Sequence, residues 1–319
     1  MKTKITGVGG YLPSAILTNF DLEKMVDTSD AWIKERTGIC QRHIAAEGEL
    51  TSDLAIQAAK EALKTANISA AQLDLIILAT TTPDNTLPAT AVKVQYALGA
   101  TKAFAFDLQA VCSGFMYAMA TAHQYIQTGA VRTALVIGAE TISRLVDWTD
   151  RNTCVLFGDG AGAVVLSATP DTDVGGLEKI ILHSDGAFYD MLHTTGGVSS
   201  TKNSGFIYMQ GREVFRHAVV KLAGITTELL NGTSYQLSDI DYLLPHQANL
   251  RIIQSVADKI NIPMEKVALT LPFQGNTSAA SIPLALHWAV QNNKVKPGDL
   301  ILTESMGGGF TWGGALLRL

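Results

Sequence analysis

An internal repeat of strand and helix patterns constrains the fold of this chain more than any single motif. Short apolar segments rich in Val, Ile and Leu recur in both halves, and amphipathic stretches such as 51–66 lie between them. The segments cover 75–80, 104–109, 134–140 and 160–169 in the first half, and 241–245, 267–272, 300–305 and 312–319 in the second. This alternation predicts an α/β protein with buried sheets, built from two similar halves over 1–172 and 173–319.

The repeat also places two polar residues at equivalent positions. Cys112 lies 38 residues after Asp74, and Asn276 lies 35 residues after Asp241. Each follows the second strand of its half and opens a helix. If the halves pack about a pseudo-two-fold axis, Cys112 and Asn276 face each other; the alternative is a chance match of short strands.

Composition excludes several classes of function. The chain has 319 residues, a formal net charge of −5, 47% hydrophobic residues and 17% charged residues, so it can bury a large core. Nucleic acid is not an expected partner. The first residues lack the apolar stretch of a secretory signal, and no run approaches the ~18 apolar residues of a membrane span. The sequence therefore predicts a cytoplasmic protein that does not enter the membrane.

The three cysteines, Cys40, Cys112 and Cys154, show neither a disulfide framework nor the spacing of a metal site. Cys112 stands where a strand-like segment gives way to a helical pattern. Because a helix N-terminus favours the thiolate by up to ~1–2 kcal/mol, we expect a lowered pKa and a nucleophilic sulfur there. The alternative is a buried core cysteine, and Cys40 and Cys154 are assigned to that class.

Two further residues complete a candidate site. His246 follows the strand 241–245, and active-site residues of α/β sheets gather beyond the carboxyl ends of strands. Asn276 precedes a helix of small residues. A cysteine with a histidine and an amide donor suits acyl transfer with stabilisation of an oxyanion or enolate. An ordinary loop histidine and a helix N-cap asparagine are the alternatives.

The glycine-rich segments do not indicate a nucleotide site. Segments 7–12 and 158–163 lack the Gly-x-Gly-x-x-Gly pattern, and no phosphate-binding loop with Gly-Lys-Ser/Thr is present. In 305–314, three consecutive glycines, Gly307, Gly308 and Gly309, lie between two strands. A tight hairpin there would let backbone N–H groups approach a substrate oxygen closely.

Cys112 and four strings in order resemble β-ketoacyl-acyl carrier protein synthase III, a family of condensing enzymes in the thiolase-like superfamily. The strings are FGDGAGA at 157–163, HQAN at 246–249, GNTSAAS at 275–281 and GGGFTWG at 307–313. The likeness extends over the whole chain. It implies a five-layer αβαβα thiolase-like fold made from a duplicated unit, a homodimer, and catalysis without a cofactor, since the CoA thioester is a substrate.

The resemblance implies a role for each site residue. Cys112 takes the acyl group from a short acyl-CoA, expected to be acetyl-CoA, and malonyl-acyl carrier protein then enters. His246 and Asn276 donate hydrogen bonds to the malonyl thioester oxygen, while the backbone N–H groups of Cys112 and Gly308 form the oxyanion hole. The products are 3-ketoacyl-acyl carrier protein, CoA and CO2, in the first condensation of type II fatty acid synthesis.

The resemblance also implies three sets of binding residues. Leu87 and Met306 are expected in the acyl pocket, where acetyl-selective members commonly carry aromatics, so a longer or branched primer stays open. Carrier-protein docking is assigned to Arg251, Arg216 and Lys259. Trp32 and Arg151 are expected to sandwich the adenine, and Asn152 stands where the family often has glycine. The CoA-binding set is Thr28, Trp32, Arg36, Arg151, Asn152, Met209, Phe215, Ala248 and Asn249.

Other functions are weighed against this assignment. A thiolase would need a second cysteine near 305–314, which contains none. A synthase of the HMG-CoA type would need a glutamate base, for which Glu140 is the candidate, but the HQAN and GNTSAAS strings favour the ketosynthase. An acyl-CoA hydrolase would turn over without malonyl-acyl carrier protein, and a non-catalytic carrier-binding protein would form no acyl-cysteine.

Overall fold

Two β-sheets form the centre of the molecule, and each takes its strands from one half of the chain. The computed structural model describes residues 1–319 throughout. The first half contains strands β1 (Lys2–Tyr11), β2 (Ala15–Thr18), β3 (Gln41–Ile44), β4 (Leu75–Ala79), β5 (Phe104–Leu108), β6 (Thr133–Glu140) and β7 (Gly160–Thr169). Its helices are α1 (Asn19–Leu22), α2 (Asp30–Thr37), α3 (Thr51–Ala66), α4 (Thr90–Leu98) and α5 (Gly114–Gln127).

The second half repeats this alternation. Its strands are β8 (Gly176–Ser184), β9 (Leu192–Thr194), β10 (Ile207–Met209), β11 (Tyr242–Pro245), β12 (Leu300–Gly307) and β13 (Thr311–Arg318). Its helices are α6 (Gly211–Leu230), α7 (Leu250–Lys259), α8 (Leu271–Gln274) and α9 (Ser281–Gln291). Strands β2 and β3, and strands β9 and β10, form two separate two-stranded ribbons.

The two main sheets share one topology. The first has the order β1-β7-β6-β4-β5, with β4 parallel to β5 and β6 and the other pairs antiparallel. The second has the order β8-β13-β12-β11, with β11 parallel to β12 and the other pairs antiparallel. The internal repeat is therefore present as equivalent sheets. The boundary between residues 172 and 173 stays a prediction, although β7 ends before it and β8 begins after it.

One expected strand is absent, because the prediction of a strand over 267–272 is wrong. That segment keeps a single parallel bridge between Val267 and Leu243, and then turns into α8. The side chain of Gln247 takes the place of a partner strand: its Oε1 accepts from the N–H groups of Thr270 and Leu271, and its Nε2 donates to the Ala268 oxygen. The second sheet therefore has four strands where the first has five.

Helices cover both sheets and fill the space between them. Helices α3 and α4 pack on the outer face of the first sheet, α6 and α7 flank the second, and α5 and α9 lie between the two. The apolar cluster of this middle layer joins α5 and α9 to strands of both sheets. The predicted five-layer αβαβα architecture is confirmed. None of the helices combines the length and the apolar composition needed to span a bilayer.

A close approach between the first sheet and the 3-10 turn Ser278–Ala280, which leads into α9, brings the halves together at the site. A Cβ atom added at Gly138 in β6 would lie 2.2 Å from the carbonyl oxygen of Ala279, so only glycine fits at this crossing. The segment that carries Asn276 and Ser278 therefore lies beside Glu140, the last residue of β6.

Candidate active site

Cys112 lies in a short 3-10 turn, Val111–Ser113, between the end of β5 and the start of α5. Its carbonyl oxygen accepts a hydrogen bond of 2.7 Å from the Ser305 hydroxyl in β12. A Cβ atom at Gly307 would lie 2.7 Å from the Cys112 backbone nitrogen, so the glycine hairpin packs directly on the turn. The predicted position of Cys112 at a helix N-terminus is confirmed. Cys112 is only 7% exposed.

The expected lowering of the Cys112 pKa is wrong. Burial raises the pKa of the thiol to about 12, and the Glu140 charge adds to this rise, while a hydrogen bond with Ser278 opposes it. Removal of the sulfur from water disfavours the charged form by more than the hydrogen bonds at the sulfur favour it. The resting sulfur is therefore a thiol, and its proton has to be removed within the site.

His246 directly follows β11 and is held at two points. Its backbone N–H donates to the backbone carbonyl oxygen of Glu304 at 2.8 Å, and its Nδ1 lies 2.5 Å from the Ser281 hydroxyl. Burial lowers the pKa of the imidazole to about 3, so the ring is neutral at physiological pH. When Ser281 donates to Nδ1, the ring proton resides on Nε2, which has no partner in the chain.

Asn276 is fixed by its backbone and by one side of its amide. Its N–H donates to the Leu156 oxygen at 2.9 Å, and its carbonyl oxygen accepts from Gly158 at 3.0 Å. Its Oδ1 accepts from the Ser278 N–H at 2.9 Å, which is a turn-capping contact. The amide nitrogen Nδ2 stays free to donate. Asn276 can therefore cap the turn through Oδ1 and donate a hydrogen bond through Nδ2 at the same time.

Cys112, His246 and Asn276 line one cavity of about 600 Å³, which has 23 lining residues, 14 of them hydrophobic. The structure thus brings together the residues that the repeat and the strand ends predicted. The cavity contains two neutral hydrogen-bond donors and a buried thiol, and a neutral donor can stabilise a developing oxyanion or enolate. No group of three or more His, Cys, Asp or Glu side chains is placed to hold a metal ion.

Most of the expected CoA-binding residues line the same cavity: Trp32, Arg36, Asn152, Met209, Phe215, Ala248 and Asn249. Arg151 stands at its edge, with its guanidinium 5.0 Å from the centre of the Trp32 ring and a hydrogen bond to the Asp27 oxygen. The Thr28 hydroxyl is buried and has no partner. The guanidinium thus stacks on the Trp32 ring itself, so the two groups would have to separate before an adenine could lie between them.

The expected docking residues differ in their surroundings. Arg251, on α7, lines the cavity and lies 6.0 Å from the Phe215 ring, and it forms no ion pair. Arg216 is paired with Glu213 at 2.5 Å. Lys259 is exposed at the end of α7 and also forms no ion pair. Of these three expected docking residues, Arg251 and Lys259 therefore have no ion pair to break when an acidic partner binds.

The two acyl-pocket residues are far from equivalent. Met306 is buried and lines the cavity, whereas Leu87 is 81% exposed and does not. Leu87 lies on the loop that leads into α4, and α4 packs on the outer face of the first sheet. The cavity lies near the second sheet, where α6 and α7 form its walls. Leu87 does not reach the cavity of its own chain, and its place in an acyl pocket stays a prediction.

Comparisons with known proteins decide the family. A family model for 3-oxoacyl-[acyl-carrier-protein] synthase III matches residues 106–186, and the model of its C-terminal part matches residues 230–319. The chain belongs to the 3-oxoacyl-acyl carrier protein synthase III family. A synthase III from Paramagnetospirillum magneticum is 57% identical over 322 residues, covering 100% of this chain and 99% of that protein.

Solved structures of the synthase III family superpose on the whole chain. The enzyme from Aquifex aeolicus has a TM-score of 0.95 at 51% identity, covering 99% of this chain and 100% of that one. The enzyme from Pseudomonas aeruginosa has a TM-score of 0.94 at 41% identity, covering 100% and 98%. The family prediction is confirmed, and the chain is a condensing acyltransferase with a thiolase-like fold.

Several residues of this synthase III site were not predicted from the sequence. Ser281, which bonds His246, and Ser305, which bonds the Cys112 turn, lie in the segments 275–281 and 305–314, whose asparagine and glycines alone carried the prediction. The inner face of α6 forms an apolar wall of the cavity. The helical periodicity of its apolar residues could have indicated this wall in the sequence. The additional lining residues are Thr37, Val155, Leu156, Phe157, Leu192, Gly211, Arg212, Val214, Ala218, Leu222 and Ile252.

Proposed function

We propose that this chain condenses a short acyl-CoA, with acetyl-CoA as the expected primer, with malonyl-acyl carrier protein. The products are 3-ketoacyl-acyl carrier protein, CoA and CO2, in the first condensation of type II fatty acid synthesis. The observation that carries this proposal is the meeting of Cys112, His246 and Asn276 at one cavity. The chemistry uses a thiol and two thioesters, so the proposal includes no cofactor and no metal.

In the first half-reaction, the Cys112 sulfur attacks the acyl-CoA carbonyl and CoA leaves. The negative charge that develops on the carbonyl oxygen would be met by the backbone N–H groups of Cys112 and Gly308. Support comes from the contact between the glycine hairpin and the Cys112 turn, where Gly307 faces the Cys112 nitrogen. The acyl group then waits on sulfur in a mostly apolar cavity, protected from water.

In the second half-reaction, His246 and Asn276 act as paired donors. His246 Nε2 and Asn276 Nδ2 donate to the malonyl thioester oxygen and stabilise the enolate that forms when CO2 leaves. The neutral imidazole fits this role because Ser281 occupies Nδ1 and leaves the proton on Nε2. The enolate carbon attacks the acyl-cysteine, and the Cys112 thiolate is released. An amide at position 276 suits an enolate, since a carboxylate would repel it.

The binding surfaces follow from the same cavity. The CoA adenine would enter between Trp32 and Arg151, with Thr28 and Arg36 beside them. Arg251 and Lys259 would meet the acidic carrier protein, and Arg216 would join them at the expense of its pair with Glu213. These assignments rest on exposure and charge.

The proposal includes a cytoplasmic homodimer. Strand β5 is an edge of the first sheet, bonded only to β4, and Phe104, Tyr96 and Leu87 are exposed apolar residues in or near it. Unpaired edges with apolar neighbours favour pairing with another chain. Any contact between Leu87 and an acyl group would then have to be made with the cavity of the second copy.

A turnover assay tests the proposal against hydrolysis. With acetyl-CoA and radiolabelled malonyl-acyl carrier protein, we expect CO2 release and 3-ketoacyl product in equal amounts. Replacing malonyl-acyl carrier protein by buffer should leave acetyl-CoA unconsumed beyond one equivalent per chain. Continued release of acetate without the carrier protein would favour the acyl-CoA hydrolase alternative.

A further inference from the structure

A buried carboxyl group lies next to the reactive cysteine and has no role in the proposed mechanism. Glu140, the last residue of β6, is fully buried. Its oxygens accept hydrogen bonds from the Thr82 hydroxyl at 2.6 Å, the Thr81 N–H at 3.1 Å and the Thr80 hydroxyl at 3.3 Å. No Lys, Arg or His forms an ion pair with it. A carboxyl group held in this way can exchange a proton without losing its place.

The remaining partner of Glu140 comes from the other half of the chain. The Ser278 hydroxyl donates to Glu140 Oε1 at 3.1 Å. The turn Ser278–Ala280 packs on the turn Val111–Ser113, and the Ser278 side chain there opposes the rise of the Cys112 pKa that burial causes. Ser278 has a φ of 50°, in the left-handed region that is unfavourable for a residue with a side chain. Its N–H is held by Asn276 Oδ1. A strained serine is thus fixed between a thiol and a carboxylate.

Ser278 has a single hydroxyl proton, so it can donate to only one of its two partners, Glu140 or Cys112, at a time. When Glu140 is ionised, Ser278 donates its proton to the carboxylate, and its oxygen can accept only from the Cys112 S–H. When Glu140 is protonated, the carboxylic acid can donate to Ser278, whose proton then points at the sulfur and stabilises a thiolate. The two arrangements differ by the transfer of one proton from Cys112 to Glu140.

We propose that Glu140 is a positioning residue that acts through Ser278 to take up the Cys112 proton during acylation and to return it after condensation. As the S–H proton moves to Ser278 Oγ, the Ser278 hydroxyl proton moves to Glu140. The electron pair left on sulfur forms the C–S bond to the acyl carbon, and CoA leaves as a thiolate that takes a proton from water. This inference rests on the proposed function.

The return step uses the same path. When the enolate attacks the acyl-cysteine, the C–S bond breaks and its electron pair stays on Cys112. The Ser278 proton then moves to the sulfur, and the Glu140 proton moves to Ser278. The enzyme ends with a thiol and a carboxylate, as it began, and no oxidant or other co-reactant is needed.

The competing base is less suited to the task. Burial lowers the pKa of His246 to about 3, whereas burial raises the pKa of Glu140 to about 7 and its hydrogen bonds oppose that rise. The carboxylate is therefore the stronger base of the two. Cys112 is the titratable group that faces Glu140, since its other neighbours, Thr80, Thr81, Thr82 and Ser278, do not titrate in this range.

The pH profile of Cys112 alkylation tests the relay. We would measure the iodoacetamide reaction from pH 5.5 to 9.5 by peptide mass spectrometry, so that Cys40 and Cys154 are scored separately. In the wild type, the Cys112 rate should rise with a midpoint near the Glu140 pKa of about 7 and then level off. Glu140→Gln and Ser278→Ala should each lose this midpoint and react at least tenfold more slowly at pH 8.

Glu304→Gln is the matched control. Glu304 is also a fully buried carboxyl in a strand, and no hydrogen bond joins its carboxyl oxygens to Ser278 or to Cys112. This variant should keep the wild-type midpoint. In single-turnover acylation by acetyl-CoA at pH 7.5, Glu140→Gln should be about 100-fold slower.

The outcomes separate the relay from the proposed function. An unchanged midpoint in Ser278→Ala overturns the relay even if Glu140→Gln does not fold, because Ser278 is the only link in the path. If the wild type shows the midpoint but is never acylated by any acyl-CoA, the relay stands and the proposed function fails. If the wild type is acylated and both variants keep the midpoint, the proposed function stands and the relay is wrong.

Discussion

The Ser281 hydroxyl lies 2.5 Å from His246 Nδ1, so Nε2 is the ring nitrogen that has no partner in the chain and is left for the cavity. Both residues are buried, and burial keeps the imidazole neutral, so the ring has one proton to place. A serine that donates to Nδ1 leaves this proton on Nε2. The donor capacity of His246 is thus fixed by a residue in α9, 35 positions along the chain.

Ser281→Ala should slow decarboxylation more than acylation. Without the hydroxyl, Nδ1 is buried without a partner and the ring can carry its proton there, away from the enolate. Loss of a buried hydrogen bond costs about 1–3 kcal/mol, which corresponds to roughly 10-fold or more in rate. CO2 release from malonyl-acyl carrier protein measures this effect, and the acylation rate of Cys112 is the internal control.

Asn276→Ala should spare acyl transfer and impair condensation. Asn276 Nδ2 is free to donate, and one oxyanion donor is typically worth ~3–4 kcal/mol in the transition state, so decarboxylation should fall by about 10²–10³. His246→Ala should show the same pattern. Separate assays of the two half-reactions decide the matter, and an equal loss in both would contradict the donor assignment.

Gly307→Ala should damage the site by steric contact. The new Cβ atom would lie 2.7 Å from the Cys112 nitrogen, and overpacking of this kind costs about 1–3 kcal/mol. We expect a lower Tm and acylation at least 10-fold slower. Gly186→Ala is the matched control, since no atom lies within 4 Å of a Cβ there. Equal Tm values and rates for the two variants would remove the packing argument.

Arg251→Glu should raise the KM for malonyl-acyl carrier protein about 10-fold and change acylation by acyl-CoA less. Arg251 has no ion pair to lose, so the reversal of charge acts on the incoming acidic partner. Lys60→Glu, on the exposed side of α3, applies the same change of charge on the opposite outer layer. Equal KM values for both variants would exclude Arg251 from the docking surface.

Glu304→Gln should stabilise the protein at high pH. Burial raises the pKa of Glu304 to about 8 from an ordinary value of 4.5, so the folded state binds the extra proton between these values. Stability therefore falls as pH rises through this range, by up to about 5 kcal/mol above pH 8. Unfolding in urea should show a more stable variant at pH 9 and little difference at pH 4.5. A constant difference at both values would contradict this.

Much of the fold follows from local sequence patterns. The apolar runs at 75–80, 134–140 and 300–305 predict strands because each is short, contains β-branched side chains and is bounded by polar residues. The segment 267–272 has the same appearance, but its backbone groups are bonded by Gln247, which is distant in sequence. A contact between residues so far apart in sequence produces no local pattern, so the sequence does not indicate that this segment lacks a partner strand.

The sequence predicted the three reactive residues of the site but not the pKa of its cysteine. The repeat placed Cys112 opposite Asn276, and the end of β11 placed His246, because strand ends of equivalent units converge. The raised pKa of Cys112 depends on how much protein covers the sulfur, which is a property of the assembled layers. The direction of the Leu87 loop depends in the same way on where α4 packs.

The most direct test of the central claim is the intact mass of the protein after incubation with acetyl-CoA and with longer and branched acyl-CoAs. We expect one acyl adduct per chain on the wild type, none on Cys112→Ser, and discharge of the adduct by malonyl-acyl carrier protein with release of CO2. The acyl-CoA that reacts fastest would identify the primer. A folded wild-type protein that gains no mass from any acyl-CoA would contradict the role of Cys112 as the acyl carrier.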